Sequence, residues 1–388
     1  MPVKNRIAEM HDEIAAWRRD FHEHPELLYD THRTAAIVAD KLREFGCDEV
    51  VEGIGRTGVV GLIRGRSDST GRVVGIRADM DALPITEATG LSYASKTPGL
   101  MHACGHDGHT AMLLGAAKYL AETRNFDGAA AVIFQPAEEG GAGGKAMVDD
   151  GLIDRFRIRE IYGMHNSPSL PLGAFGIRPG PFYAATNTFT ITVTGRGGHA
   201  ARPHATVDPT LIASHLVLAL QSIVSRNADP LHSIVVSVTS FRTATDAYNV
   251  IPETVELRGT VRTFDPELRV HAEARVKAIA AHTAAVYGGR AEVVWEQGYP
   301  AMVNHEKETG FAVEAARRVS ASVDPHAAAV MGGEDFAYML EACPGAYIQV
   351  GAGEGANLHH PAYDFNDEVI PAGASYWVEL IESRLPVG

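Results

Sequence analysis

The hydrophobic pattern at the start of the chain has a helical period. Apolar residues recur at steps of three and four, which places them on one face of a helix that Pro25 helps to end. The members of this stripe are Ile7, Met10, Ile14, Trp17 and Phe21. A second helix is predicted from about Thr31 to Phe45, because Gly46 is a typical residue just beyond a helix end.

Farther along, short apolar runs alternate with helical stretches such as Ala111–Ala121. The runs are Val73–Ile76, Ala130–Phe134, Ile161–Met164 and Ala346–Val350. Runs that are mostly apolar are typical of strands buried on both faces. The pattern therefore predicts an α/β domain with a mostly parallel sheet flanked by helices.

A different pattern begins near residue 184, where Thr188–Val193 alternates strictly between polar and apolar residues, as in a half-exposed strand. The elements predicted after this strand are a helix at about Pro209–Arg226, strands at Ser233–Ser240 and Thr254–Arg262, a helix at Pro266–Tyr287 and a strand at Glu292–Glu296. This order is typical of a ferredoxin-like α+β domain. We therefore predict an inserted domain at residues 184–297, within a discontinuous domain at residues 1–183 and 298–388.

Composition narrows the class of protein. The 388 residues suffice for two domains, and 48 acidic against 34 basic residues give a net charge of -14, which disfavours nucleic acid or an anionic membrane as partner. Cys47, Cys104 and Cys343 are too scattered for a disulfide framework. No apolar signal segment begins the chain, and polar residues interrupt the longest apolar stretch, Leu211–Val224. We expect a reduced, cytoplasmic protein without a membrane span.

The segment His102–His109 holds the strongest chemical signal. Five of its eight residues have side chains that bind metals, and two glycines permit tight turns of the backbone. Thiolate, imidazole and carboxylate together suit Zn²⁺, Mn²⁺, Co²⁺ or Ni²⁺. Capping of a following helix by Asp107 or Thr110 is the alternative, but it explains one residue of the five.

A pair of acids, Glu138 and Glu139, follows the second apolar run. Adjacent acids usually face solvent, but these stand where several other ligand-type residues stand, just after a predicted strand. The other such residues are Cys104, His106, His165, His359 and His360. Because the ligand crevice of an open α/β sheet lies beyond the carboxyl ends of its strands, we expect these loops to converge.

Two other motifs are rejected. Gly351–Ala356 matches the glycine pattern of a dinucleotide-binding turn, but Pro361 prevents the helix that should follow, and no further strand–helix unit comes after it. Gly143–Ala146 resembles a phosphate-binding loop, but Glu139 replaces its first glycine and Ala146 its hydroxyl residue.

Taken together, the motifs resemble the hippurate hydrolase and N-acyl-amino-acid amidohydrolase family, and plant hydrolases of auxin–amino-acid conjugates are similar. The motifs that carry the resemblance are Arg77–Pro84, His102–His109, Gln135–Glu139, Gly163–His165, Gly197–Ala200, Asn249–Pro252 and Gly332–Phe336. The resemblance extends from His24 to Asp367. The resemblance implies a metal amidase with two divalent ions per subunit, an inserted lid domain and a homodimer formed through the lids.

The resemblance also assigns roles to residues. It implies Glu138 as the general base, whereas the residues alone leave open which of Glu138 and Glu139 is the base and which the ligand. It favours His359 over His360 because the family pattern has Leu-His here, and it leaves Asp79 unassigned. The implied metal ligands are Cys104, His106, Glu139, His165 and His359.

Three residues of the predicted lid receive roles in the same way. His199 resembles the family's donor to the oxyanion, and we predict that it acts on the site of the partner subunit. Asn249 and Arg262 resemble the binders of the substrate's free carboxylate, a task that the forked guanidinium suits. Their ordinary interpretations are a solvated loop histidine, a turn asparagine and an exposed arginine at a strand end.

The expected function is therefore hydrolysis of the amide bond of N-acyl amino acids. The alternative enzymatic function is that of a dipeptidase on the same scaffold, which would need a group that binds a free α-amino group. The alternative that is not an enzyme is a noncatalytic metal-binding or ligand-binding protein. In such a protein we would expect the general base to be lost. Glu138 and Glu139 are both present, which favours catalysis.

Overall fold

The computed structural model describes residues 3–388, and these form two compact units. The first unit consists of the described residues up to Phe182 together with Val303–Ala328 and Asp335–Gly388. The second unit consists of Tyr183–Met302 and Ala329–Glu334.

Helices occur in both units. The α-helices are α1 (Asn5–Glu9), α2 (His11–Glu23), α3 (His32–Glu44), α4 (His106–Thr123), α5 (Gly143–Asp149), α6 (Leu152–Phe156), α7 (Pro209–Leu220), α8 (Pro266–Val286), α9 (Glu306–Val319), α10 (Phe336–Ala342) and α11 (Ile370–Arg384). Short 3-10 turns cover Pro203–Ala205 and Asp367–Val369, and a π-helical turn covers Ile223–Asn227. Among residues 3–388, none of the helices has the length and apolarity needed to cross a bilayer.

The strands fall into one large sheet, one smaller sheet and short ladders. They are β1 (Glu49–Ile54), β2 (Gly58–Arg64), β3 (Val73–Asp79), β4 (Ala129–Gln135), β5 (Ile158–Ser167), β6 (Phe175–Gly176), β7 (Gly180–Tyr183), β8 (Ala185–Thr194), β9 (Gly198–His199), β10 (Ile234–Thr243), β11 (Val250–Ile251), β12 (Thr254–Thr263), β13 (Arg290–Gln297), β14 (Met302–Asn304), β15 (Val323–Asp324) and β16 (Gly345–Gly351).

The large sheet of the first unit has the order β1-β2-β4-β3-β5-β16-β6-β15. Its four central strands, β4, β3, β5 and β16, are mutually parallel and correspond to the four apolar runs of the sequence. All residues of β3 and β4 are buried, which explains why these strands are apolar throughout. The predicted α/β architecture with a mostly parallel sheet is confirmed.

The strand register sets the carboxyl ends of the central strands side by side. Asp79, the last residue of β3, pairs with Gln135, the last residue of β4, and His165 of β5 pairs with Gln349 of β16. The loops that leave β3, β4 and β16 therefore begin at the same edge of the sheet.

The amino-terminal stripe forms two helices, although one was predicted. The chain leaves helical geometry at Met10, which separates α1 from α2. Ile7, Met10, Ile14 and Phe21 are nevertheless buried in the same core. The spacing of apolar residues continues across the break, so the pattern contains no sign of it.

The second unit contains a four-stranded antiparallel sheet in the order β10-β12-β8-β13. Its elements β8, α7, β10, β12, α8 and β13 follow one another as the sequence pattern predicts. Burial alternates along β8 and β12, and their buried side chains pack with those of α7 and α8 in one core. Asp208 and Asp265 accept backbone N–H groups at the starts of the two helices.

Candidate metal centre

Glu138 and Glu139 lie in a tight turn directly after β4. The backbone is left-handed at Ala137, with φ 56°, and again at Gly140, with φ 103°. The carboxylate of Asp81, which follows β3, accepts the N–H of Glu138 at 2.9 Å and that of Glu139 at 3.0 Å. The turn is therefore held from the neighbouring strand.

Cys104 and His106 flank a glycine whose conformation the fold requires. Gly105 has φ 95°, and a Cβ atom there would lie 2.4 Å from Oδ1 of Asn166. The chain turns at this glycine and enters α4 at His106. Both flanking side chains are buried. This geometry agrees with the tight turn predicted for the His102–His109 segment.

His165 lies within β5, near its carboxyl end, whereas the sequence pattern placed it after the strand. Its Nδ1 atom donates to the carbonyl of Asn166 at 2.7 Å. Its Nε2 atom lies 3.4 Å from Sγ of Cys104. β5 thus directs Nε2 of His165, the ring nitrogen that carries no hydrogen, at Cys104.

The two adjacent histidines after β16 have different surroundings. His359 is left-handed, with φ 64°, and its N–H donates to the carbonyl of Ala103 at 2.7 Å. Its Nε2 atom lies 3.2 Å from Oε1 of Glu139. Both histidines are exposed, but His360 makes a different contact, in which its Nδ1 atom accepts the N–H of Ala362. The geometry favours His359 as the histidine of the centre.

The predicted ligands and the predicted base form one continuous group in the first unit. Their ligand atoms form overlapping sets, each with all atoms within 4.8 Å of one another. These sets are Cys104, His106 and His165; Cys104, Glu139 and His359; and His106, Glu138 and Glu139. Six side chains from four segments of the chain thus meet at one edge of the sheet.

The donor set fits divalent cations. The Nδ1 atom of His106 donates to the carbonyl of Asp81 at 2.8 Å, and its buried Nε2 atom has no hydrogen-bond partner among the described residues. Metal-binding histidines are typically fixed in this way through the nitrogen that does not face the metal. Burial, followed by the charges of Glu139 and Glu138, raises the pKa of Cys104 well above its usual range. A bound cation would offset these unfavourable effects on the thiolate.

The sequence patterns assign no role to the charged residues that lie next to the predicted ligands. Asp79 is fully buried, with its Oδ1 atom 2.6 Å from Nδ1 of His109 and its Oδ2 atom 2.6 Å from Nη1 of Arg77. Burial raises the pKa of Asp79, but His106, Arg77 and His109 together hold it well below its usual range. Both carboxylate oxygens of Asp79 already have partners. An Asp-x-Asp pattern that ends a buried strand was the sequence signal for Asp79 and Asp81.

The second unit brings two of the predicted site residues together. His199 of β9 pairs with Val250 of β11, and the N–H of Ala200 donates to the carbonyl of Asn249 at 3.0 Å. Both His199 and Asn249 are exposed. The Nδ1 atom of His199 accepts the N–H of Ala201, which leaves its Nε2 atom to carry the hydrogen as a donor.

Arg262 lies at the opposite end of the same sheet. It pairs with Thr186 near the start of β8, whereas the ladder of β9 and β11 continues from the end where Thr254 pairs with Thr194. Positions 254 and 262 of β12 are separated by about 26 Å of extended strand. Arg262 is half-buried without an ion-pair partner among residues 3–388, and burial lowers its pKa.

Comparison with known proteins places this arrangement in a family. Residues 75–383 match the profile of peptidase family M20/M25/M40. The chain is 41% identical to the N-acetyl-L-cysteine deacetylase of Bacillus subtilis over 381 residues, which cover 98% of this chain and 89% of that protein. It is 41% identical to the hippurate hydrolase of Campylobacter jejuni over 377 residues, which cover 96% of this chain and 97% of that protein.

A solved structure agrees with the sequence matches. The YXEP protein of Bacillus subtilis, described as a dinuclear metal-binding peptidase, superposes with a TM-score of 0.84 at 36% identity. The superposition covers 97% of this chain and 99% of that one. The profile match and the two relatives cover most of the sequence, so this chain belongs to peptidase family M20/M25/M40.

Proposed function

We propose that the protein hydrolyses the amide bond of N-acyl amino acids and releases a carboxylic acid and a free amino acid. The observation that carries this proposal is the group of Cys104, His106, Glu139, His165 and His359 with Glu138 beside it. The names of two relatives, N-acetyl-L-cysteine deacetylase and hippurate hydrolase, both describe hydrolysis of this substrate class.

Two divalent ions fit the donor set, with Cys104, His106, Glu139, His165 and His359 as their ligands. Thiolate, imidazole and carboxylate donors suit Zn²⁺, Mn²⁺, Co²⁺ and Ni²⁺. When bound, such ions lower the pKa of water and polarise an amide carbonyl.

Glu138 acts as the general base in this proposal. Its carboxylate belongs to the same set of atoms as Glu139 and His106, and its backbone is fixed by Asp81. It removes a proton from the attacking water and returns the proton to the departing amine. A protonated amine is the better leaving group, so one carboxylate serves both halves of the reaction.

Arg262 and Asn249 bind the free carboxylate of the substrate in this proposal. A half-buried guanidinium without an acidic partner destabilises the folded protein, because burial of an unpaired charge is unfavourable. A substrate carboxylate would satisfy Arg262 through two parallel hydrogen bonds. The dipeptidase alternative shares this carboxylate but also requires a site for a free α-amino group.

We also propose a catalytic domain at residues 1–183 and 298–388 and a lid of ferredoxin-like order at residues 184–297, with homodimers formed through the lids. His199 would donate from its Nε2 atom to the oxyanion of the tetrahedral intermediate. Arg262 and the ladder that holds His199 lie at opposite ends of one sheet, too far apart for one small substrate. This separation supports a site completed by His199 of the partner subunit, with Asn249 supplied beside it.

A substrate panel tests the reaction. Metal-reconstituted enzyme is assayed with N-acetyl and N-benzoyl amino acids, with their carboxamide analogues and with matched dipeptides. We expect the N-acyl amino acids to have the highest kcat/KM and the carboxamides to be weak, because Arg262 would lose a charged partner. Preference for dipeptides would favour the alternative, and absence of turnover on the whole panel would refute the proposal.

A further inference from the structure

We infer that Asp81 is a positioning residue that holds the general base and one metal ligand in a fixed relation. Its two carboxylate oxygens accept two consecutive backbone N–H groups, those of Glu138 and Glu139. This inference rests on the proposed function, because it concerns the site at which that reaction would occur.

The turn that Asp81 holds would not keep its shape by local preference alone. Ala137 and Ala142 are both left-handed without being glycine, with φ 56° and 55°. Such a conformation persists in a non-glycine residue only when the surroundings impose it. A carboxylate that binds both N–H groups between these positions supplies that constraint, and Glu138 and Glu139 then move only together.

Asp81 is itself held rigidly. The N–H of Met80 donates to the carbonyl of Gln135 at 2.8 Å, and that of Ala82 donates to the carbonyl of Glu26 at 2.8 Å. The side chain of Asp81 is 1% exposed, so water does not replace it as an acceptor. The carbonyl of Asp81 accepts Nδ1 of His106. One residue therefore fixes the base and two of the predicted ligands.

Asp81 does not take part in binding the ions directly in this interpretation. Both of its carboxylate oxygens already accept N–H groups, and Asp81 belongs to none of the metal-binding sets. An asparagine at this position would retain one acceptor oxygen and turn an amino group towards the second N–H. The turn would then lose one of its two constraints at nearly unchanged volume.

The test compares Asp81→Asn with a matched control, Asp208→Asn. Asp208 also accepts two backbone N–H groups, those of Thr210 and Leu211, but at the start of α7 in the second unit. For each full-length variant, the zinc dissociation constant is measured by competition with a chromophoric chelator. Values of kcat and KM for an N-acyl amino acid are then measured at saturating zinc.

We expect Asp81→Asn to weaken zinc binding by about 10- to 100-fold and to lower kcat at saturating zinc by a similar factor. KM should change by less than about threefold, because the substrate's own contacts remain. Asp208→Asn should keep the zinc affinity, kcat and thermal stability of the wild type, because asparagine retains the Oδ1 acceptor and caps a helix about as well as aspartate. Wild-type zinc affinity and kcat in folded Asp81→Asn would overturn the inference, even if the wild type hydrolyses the substrate as proposed.

A second measurement needs no variant. Hydrogen–deuterium exchange of the full-length wild type, resolved to single amides, is recorded with zinc and after chelation. We expect the amides of Glu138 and Glu139 to stay protected in both states, because Asp81 rather than the ions binds them. Exchange of these two amides at the rate of an unstructured peptide after chelation would contradict the inference. This readout does not depend on activity, so it separates failure of the inference from failure of the proposed function.

Discussion

The Nε2 atom of His359 lies 3.2 Å from the Oε1 atom of Glu139, although the two residues belong to separate loops after β16 and β4. The hydrogen bond to Glu139 raises the pKa of His359, whereas burial lowers this pKa. The neighbouring His360 has no such contact, so adjacent histidines have distinct surroundings.

Substitution of the two histidines therefore distinguishes ligand from neighbour. We expect His359→Ala to lose about one of two bound ions per subunit and at least about 100-fold in kcat, because an open ligand position weakens a dinuclear centre. His360→Ala is the matched control and should retain both ions and kcat. Metal content is measured by atomic emission on dialysed protein. The reverse pattern would identify His360 as the ligand.

The adjacent glutamates should respond differently to loss of charge. Glu138→Gln is expected to keep both ions and to lower kcat at least about 100-fold, the usual contribution of a positioned acid or base. Glu139→Gln should instead lose metal, since its carboxylate lies with Cys104 and His359. Metal content and kcat are measured together. Loss of metal from Glu138→Gln would make Glu138 a ligand, and a near-normal kcat would exclude it as the base.

Glu160 provides a prediction about stability that is independent of the site. Its buried carboxylate accepts hydrogen bonds from Nε of Arg384 at 2.8 Å and from the hydroxyl of Tyr162 at 2.7 Å, and it also pairs with Arg72. Burial raises the pKa of Glu160, but the hydrogen bonds from Arg384 and Tyr162 lower it by more than burial raises it. The net shift of this pKa is therefore downward. The ionised form therefore stabilises the folded protein above the unfolded-state pKa of about 4.3, and this stabilisation is lost as the pH falls through the folded-state pKa.

We expect Glu160→Gln to lower the free energy of unfolding by about 1–3 kcal/mol at pH 7, with a difference that shrinks below about pH 4. The measurement is urea unfolding of metal-free protein across pH. Glu314→Gln removes an exposed ion pair with Arg317 and serves as the control, expected to change stability by less than about 0.5 kcal/mol. A difference that stays constant down to pH 3 would exclude ionised Glu160 as the source.

Mixed dimers test whether His199 acts across the subunit boundary. Glu138→Ala and His199→Ala, each nearly inactive, are unfolded together and allowed to reassociate. If His199 acts on the partner's site, half of the random dimers are mixed and each mixed dimer has one intact site, so activity should return to about a quarter of wild type. Absence of recovery, once mixed dimers have been demonstrated, would refute the shared site.

The sequence predicted the parts of the fold that depend on local pattern. The four apolar runs became the parallel strands β3, β4, β5 and β16, because strands buried on both faces require apolar residues throughout. The same logic predicted that ligand-type residues would meet beyond the strand ends. The contacts of Asp81 could not be predicted in this way, since they depend on the left-handed turn at Ala137. The separation of Arg262 from His199 likewise depends on strand register, which the alternation of residues does not specify.

Removal and return of divalent ions is the sharpest test of a metal-dependent hydrolase. The enzyme is stripped with a chelator, its residual metal is quantified, and hydrolysis of an N-acyl amino acid is followed as Zn²⁺, Mn²⁺, Co²⁺ or Ni²⁺ is added. We predict no turnover without metal and recovery that is complete at two ions per subunit, because the described residues offer donors for two ions and place Glu138 beside them. Full activity in rigorously metal-free enzyme would contradict the account.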